Sequence, residues 1–428
     1  MTLLIFLAVL IACIAAGMPI AWSLMACGIA LMLHLDFFNA QIISQNLLHG
    51  TDSFILLAIP FFILAGELMN RGGLSLRIIE VAMAAFGHIR GGLGYVGIAA
   101  SLIMASLSGS AIADSAALAA ILLPMMKRAG YPPGISGGLL AAGGVTAPII
   151  PPSIALVVYG AIANISINGL FMAAIVPGML LGGVLVIIWY FISRRADYAR
   201  LEKKSGAELR RAFVRAIPAL FLPVVVIGGL RIGMFTPTEA AVIAVVYSTL
   251  VGAFVYRELD LANFYAALVD AGRTSAVVMF LVGASMVAAW LITVANLPEQ
   301  IIELLGPFMH SPRLLVLLIV IITLVLGTAL DFTPLMLILM PIMVPMCQQA
   351  GIDLTYFGIV FTIAGALGML TPPVGNVLNV VAGVGNIGLD KVTRGVMPFL
   401  LMQIALLFVL VLVPDIILVP LHVLHPTP

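Results

Sequence analysis

The apolar and polar positions of the chain alternate as long oily segments cut by glycine, proline and charge. In the first half such segments cover 2–17, 19–35 and 53–70. An amphipathic stretch follows at 74–89, then short apolar segments at 93–107 and 111–126, a span interrupted in its middle at 135–165 and a long span at 169–193. The second half runs in the same order: 217–231, 237–256 and 274–293, an amphipathic stretch at 297–309, short segments at 313–328 and 332–347, an interrupted span at 356–385 and a last span at 396–420. Length and pattern predict an all-α chain. Helices of about 15 residues are too short to cross a hydrocarbon core of about 30 Å. Each short pair, joined at a small polar tip, is therefore expected to be a re-entrant helical hairpin.

The two halves also match residue by residue. A shift of 221 places Pro124-Met125 on Pro345-Met346, Ala129-Gly130 on Ala350-Gly351 and Pro151-Pro152 on Pro372-Pro373 without a gap. Upstream, a shift of 223 places Ile78-Ile79-Glu80 on Ile301-Ile302-Glu303. The sequence thus predicts an internal duplication. Residues 1–193 form the first repeat, 194–216 a basic linker and 217–428 the second repeat.

Composition sets the environment. Of 428 residues 63% are hydrophobic and 9% charged, and the mean hydropathy is +1.24, as in a polytopic membrane protein. The net charge of +1 argues against a nucleic-acid partner. Cys13, Cys27 and Cys347 lie isolated in apolar runs, so neither a disulfide framework nor a transition-metal cluster is expected. The N-terminal MTLLIFLAVLIAC lacks the basic region of a signal peptide and reads as a first membrane span. If the hairpins and amphipathic stretches do not cross, each half crosses five times, and an odd number forces the halves to be inverted relative to each other. With the N-terminus outside, all 19 lysines and arginines except Arg231 and Arg313 fall on the inner side, as the positive-inside rule asks. Both termini are then periplasmic and the loop 194–216 cytoplasmic.

The interruptions carry the candidate chemistry. GGVTAPIIPPS (143–153) and GALGMLTPPVGN (365–376) put prolines and glycines where a membrane helix should be strongest. Irregular backbone survives at that depth only when buried in protein or lining a polar cavity. A broken helix frees carbonyls that can bind Na⁺ and half-helix N-termini that can face an anion, the pattern of secondary transporters. The first hairpin tip, ASLSGSAIADSAA (105–117), carries Ser106, Ser108 and Ser110 around Gly109. The second, LGTALDFTP (326–334), places Asp331 where the first has Ser110. An intramembrane Asp is a functional candidate, although Asp331 could also simply cap the helix that starts at Phe332. Asp114 fits capping or packing within the hairpin at least as well as ligand contact. Glu67 and Glu239 are expected in ion pairs or at helix ends, with Thr236 as a cap and Pro237 at the first helical position. No Lys or Arg occurs between Ala129 and Ser193 or between Leu314 and Asp390, so an anion bound there would depend on helix N-termini, hydroxyls and bound cations.

At these residues the chain resembles the large membrane subunit of tripartite ATP-independent periplasmic (TRAP) transporters over essentially its whole length. The matching stretches are IPFFILAGELMN (59–70), GGLGYVGIAASLIMASLSGSAIADSAA (91–117), APIIPPSI (147–154), FTPTEAA (235–241), LDFTP (330–334) and LTPPVGNVLNV (370–380). The resemblance implies an ion-transporter-superfamily fold of elevator type, in which hairpins and broken helices move past a scaffold and 74–89 and 297–309 act as arms. It implies Na⁺-driven uptake of a small carboxylate (a C4-dicarboxylate, a sialic acid or another sugar acid) across the bacterial inner membrane. The implied partners are a small membrane subunit, expected as a separate chain, and a periplasmic substrate-binding protein. Carried onto matching positions, the family pattern implies one Na⁺ site among Ser108, Ser110, Gly144, Thr146 and Pro151, and another among Gly327, Asp331, Gly368, Thr371 and Asn376. Ser110, Ser153 and Asp331 are implied to face the substrate. The rival expectation is a stand-alone divalent-anion/sodium symporter of the same architecture that needs no binding protein. An intramembrane serine enzyme would need a base beside Ser108 or Ser110, and the six histidines fall near span ends or outside.

Overall fold

The computed structural model describes residues 2–195, 198–304 and 311–424, and these are helical apart from short turns. In the first half the helices are Thr2–Ala15, Ile20–His34, Ala40–Thr51, Ala58–Arg71, Leu74–Phe86, Gly92–Ser108, Ala111–Arg128, Pro133–Gly144, Ile154–Ala163 and Ile167–Arg194. In the second they are Gly206–Arg231, Pro237–Leu250 with a π-helical turn at Val251–Tyr256, Leu261–Val294, Leu297–Leu304, Pro312–Leu326, Phe332–Gln349, Leu354–Gly368, Asn376–Gly385, Leu389–Leu412 and Asp415–Leu424.

Several boundaries differ from those read in the sequence. Helix Ala40–Thr51 was not expected, because Gln41, Ser44, Gln45, Asn46 and His49 hide its apolar positions. It is followed across the non-helical residues 52–57 by Ala58–Arg71, whereas the second half has the single 34-residue helix Leu261–Val294. The basic linker ends earlier than residue 216. Helix Gly206–Arg231 starts inside it, held by a reciprocal capping box in which Ser205 and Glu208 bond each other's backbone amides. The last span is interrupted at Pro414. The second amphipathic stretch is helical over Leu297–Leu304, and the rest of 297–309 lies outside the described residues. Thr236 and Glu239 form the expected cap of helix Pro237–Leu250, again as a capping box.

Six helices among the described residues are long and apolar enough to cross a membrane. One is Phe332–Gln349, whose 18 residues exceed the expected short segment. Length alone therefore does not mark this helix as re-entrant. Its distinguishing feature is that its tip meets the interruption of another span.

Contacts recur with the halves exchanged. Pro133–Gly144 packs on Leu389–Leu412 as Leu354–Gly368 packs on Ile167–Arg194. Ala111–Arg128 packs on Asn376–Gly385 as Phe332–Gln349 packs on Ile154–Ala163. Leu74–Phe86 lies on Gly206–Arg231, and Leu297–Leu304 touches Thr2–Ala15, where Gln300 donates to Thr2 at 2.8 Å. One main hydrophobic core runs through both halves, from Phe6 to Ile417. Ion pairs add to the junction: Arg71 bonds Asp270 at 2.5 Å and Arg77 bonds Glu258 at 2.7 Å.

Candidate functional site

The first hairpin turns at Gly109, whose φ of +63° suits glycine. A Cβ there would lie 3.3 Å from the Ile154 amide and 3.5 Å from the Pro152 carbonyl, so the tip rests directly on the first interruption. Ser110 caps the second hairpin helix, its Oγ accepting from the Ala113 amide at 3.3 Å. The Ser108 hydroxyl donates to Asp114 Oδ1 at 2.5 Å and accepts from the Ser110 amide at 3.1 Å. Asp114 is fully buried, and its Oδ2 and the neighbouring Ser115 hydroxyl have no hydrogen-bond partner among the described residues. Asp114 thus stays within the hairpin, under its tip. The Thr146 hydroxyl is buried and donates to the Gly143 carbonyl at 2.7 Å. Gly144 packs against Ser115 and the Ala111 carbonyl. Pro151 belongs to a cis Pro-Pro pair matched by Pro372-Pro373.

The second unit is joined differently. Gly327 and Gly368 meet backbone to backbone, and a Cβ on Gly368 would stand 2.7 Å from Gly327 Cα. The Gly375 amide donates to the Thr328 carbonyl at 3.2 Å, tying the interruption to the tip. Asp331 occupies the cap position before Phe332, yet its side chain makes no cap hydrogen bond. It accepts instead from Asn376 Nδ2 at 2.9 Å. The capping alternative therefore fails, and the carboxylate is turned toward the interruption. Thr371 donates to the Leu367 carbonyl at 2.9 Å.

Both tips open into one cavity of about 370 Å³. Ser108, Gly109 and Ser110 line it from one side, and Asp331, Phe332 and Thr333 from another. Glu67 and Asn70 on Ala58–Arg71 and Thr274 on Leu261–Val294 close it. No Lys, Arg or His lines this space among the described residues. Of the three residues expected to face substrate, Ser110 and Asp331 do line the cavity and Ser153 does not. Ser153 is fully buried, caps helix Ile154–Ala163 through the Leu156 amide at 3.3 Å and donates to the Pro148 carbonyl. Its hydroxyl is used up by the interruption itself. Thr146, Thr371 and Asn376 likewise line the interruptions rather than the cavity.

Glu67, Asn70 and Thr274 are cavity residues that the sequence reading passed over or assigned elsewhere. Glu67 does form the expected ion pair, with Arg71 at 3.6 Å, but it also faces the cavity. The available signal was the spacing of Glu67 and Asn70, three apart and so on one helix face.

A family model described as "Tripartite ATP-independent periplasmic transporter, DctM component" matches residues 7–416. The chain is 51% identical to the 2,3-diketo-L-gulonate TRAP transporter large permease protein YiaN of Escherichia coli, over 98% of this chain and 99% of the relative. It is 39% identical to the sialic acid TRAP transporter large permease protein SiaM of Vibrio cholerae, covering 90% of each chain. It is 35% identical to the C4-dicarboxylate TRAP transporter large permease protein DctM of Pseudomonas aeruginosa, covering 88% of each. Among solved structures, the YdaH transporter of Alcanivorax borkumensis matches with a TM-score of 0.59 at 17% identity over 86% of each chain, a likeness of fold alone. This multi-pass membrane protein, a transporter permease and not an enzyme, belongs to the DctM component family of tripartite ATP-independent periplasmic transporters.

Proposed function

We propose that the chain carries out sodium-coupled secondary active uptake of a small carboxylate across the bacterial inner membrane, with both termini periplasmic and the basic linker cytoplasmic. The carrying observation is that two hairpin tips, each seated on a helix interruption, share one cavity with the scaffold. Carbonyls freed at 143–153 and 365–376 are suited to Na⁺, with Ser108, Ser110, Gly144, Thr146 and Pro151 around one ion and Gly327, Asp331, Gly368, Thr371 and Asn376 around the other. The buried, half-bonded carboxyl of Asp114 supports a cation near the first tip. With no basic side chain in the cavity, the substrate anion relies on those cations and on the amide-rich start of Ala111–Arg128, capped by Ser110. Binding of anion and cation then becomes mutually dependent. Hairpins and broken helices move as one body against the scaffold, an elevator movement. The relatives named above are large permease proteins, which supports a small membrane subunit and a periplasmic binding protein as partners.

The test is uptake of radiolabelled 2,3-diketo-L-gulonate, N-acetylneuraminate and succinate into proteoliposomes holding the chain and its small subunit. Assays run with and without the binding protein, under an inward Na⁺ gradient or matched K⁺. The reading expects uptake that needs both Na⁺ and the binding protein. Uptake in K⁺ removes sodium coupling, and uptake without the binding protein removes the tripartite route.

A further inference from the structure

We propose that Asn70, on the scaffold wall of the cavity, donates a hydrogen bond to a neutral oxygen of the substrate, a hydroxyl or keto group at the end away from its carboxylate. This rests on the carboxylate-uptake reading and deepens it.

The argument starts from which polar groups in the cavity are free. Ser108 spends its proton on Asp114, and Asp331 accepts from Asn376. The amide of Asn70 is split between two tasks. Its Oδ1 accepts from the Ser75 hydroxyl at 2.5 Å, across the Gly72-Gly73 turn that leads into helix Leu74–Phe86. Its Nδ2 has no partner among the described residues, and Asn70 is exposed and lines the cavity. The Ser75 contact holds the amide plane with Oδ1 as its acceptor, and in that arrangement the NH₂ group is the end left to donate. The hydroxyls of Ser110, Thr274 and Thr333 can rotate. The Asn70 amide is the donor of this wall that is held by a protein partner.

Charge decides what it binds. Glu67 lies three residues earlier on the same helix and also lines the cavity. Arg71 offsets it at 3.6 Å but bonds Asp270 as well, so two carboxylates share one guanidinium. A substrate carboxylate at this wall would meet net negative charge. A hydroxyl or keto oxygen meets no such penalty: Asn70 donates to it, and Glu67 can accept from a neighbouring hydroxyl. The carboxylate end is left for the Ser110 side, at the start of Ala111–Arg128. A site that hydrogen-bonds a substrate oxygen discriminates strongly against an analogue lacking it. The wall therefore favours hydroxylated or keto acids over plain dicarboxylates.

The test uses the purified chain with its small subunit in Na⁺ and measures direct binding of labelled 2,3-diketo-L-gulonate and of succinate. Asn70→Asp keeps the oxygen that accepts from Ser75 and loses the donor. It is expected to weaken diketogulonate binding on the order of tenfold or more, with the melting temperature near wild type. In Asn70→Leu, which removes the donor without adding charge, the same diketogulonate loss should appear and succinate binding should change far less. Lowering the pH from about 7.5 to about 5 should restore part of the diketogulonate affinity relative to wild type, because protonation of the new carboxyl restores a donor. Ser75→Ala, which frees the amide to turn, should weaken diketogulonate binding by only a few fold. Equal losses for both ligands, or none for diketogulonate, overturn the proposal. Failure of the wild type to bind either acid while carboxylate uptake with the binding protein persists overturns this proposal alone, and failure of that uptake overturns the carboxylate reading and this proposal with it.

Discussion

The two hairpin units have one architecture and two ways of placing a carboxylate. In the first, Asp114 sits one turn inside the helix, fully buried and bonded to the tip serine. In the second, Asp331 is on the tip itself, lines the cavity and is bonded across to Asn376 on the interruption. The first unit joins tip to interruption by packing, through Gly109 on Pro152–Ile154, whereas the second adds a backbone hydrogen bond and a glycine-glycine contact. The same fold thus offers a closed polar seat beneath one tip and an open acceptor on the other. Moving one acid by a few residues along a helix changes its place from filling the hairpin to facing the cavity.

Substitutions can separate these tasks, the largest expected effect first. Gly144→Val places a Cβ 1.8 Å from Ser115 Oγ and 3.1 Å from the Ala111 carbonyl. Rotating Ser115 relieves the hydroxyl clash but not the contacts with its Cβ or the carbonyl. Uptake should vanish, and the overpacking should cost about 1–3 kcal/mol, seen as a lower melting temperature. Uptake above a tenth of wild type would mean that the first interruption need not hold its present seat.

Asp331→Asn leaves the helix start untouched, since the side chain does not cap it. Uptake should fall on the order of a hundredfold with little loss of stability. Asn376→Ala should give a smaller loss, about tenfold, because it only orients the carboxylate. Equal uptake defects with parallel unfolding would recast Asp331 as structural. In the other unit, Ser108→Ala strips Asp114 of its one side-chain partner and should cost about 1–3 kcal/mol. A Na⁺-binding titration would then show a higher half-saturation than wild type, and an unchanged one would detach Asp114 from cation binding.

Ser110→Ala removes a helix cap worth about 1 kcal/mol together with a cavity hydroxyl, and should weaken both stability and substrate affinity. The smallest effect is expected of Ser153→Ala. It also removes a cap of about 1 kcal/mol, but Ser153 is buried away from the cavity, so the substrate KM should stay near wild type. A tenfold rise in KM would return Ser153 to the substrate.

Much of this was legible in the chain. The interruptions showed as prolines and glycines inside apolar runs, and the tips as polar residues around a turn. Asp331 stood out because a carboxylate is costly in such surroundings. Helix Ala40–Thr51 was missed because its polar residues outweigh its apolar ones. The start at Gly206 was missed because arginines suggested a loop, although the Ser205–Glu208 capping pattern was already in the sequence. Glu67 was read correctly as an ion-pair partner, and that reading concealed its second face on the cavity.

By itself the sequence determined that this is an all-helical membrane protein with glycine- and proline-rich interruptions and two polar helix tips. Local composition carries that information, since lipid tolerates only backbones that satisfy themselves. Only the tertiary structure decided which polar groups are free. Ser153 and Thr146 turn inward to bond carbonyls of their own interruptions, Asp331 leaves its cap for Asn376, and Asn70 accepts from Ser75 through its oxygen while its NH₂ group has no partner among the described residues. Those outcomes depend on partners brought together by packing, and hydrogen-bond competition among them is settled by three-dimensional geometry rather than by spacing along the chain.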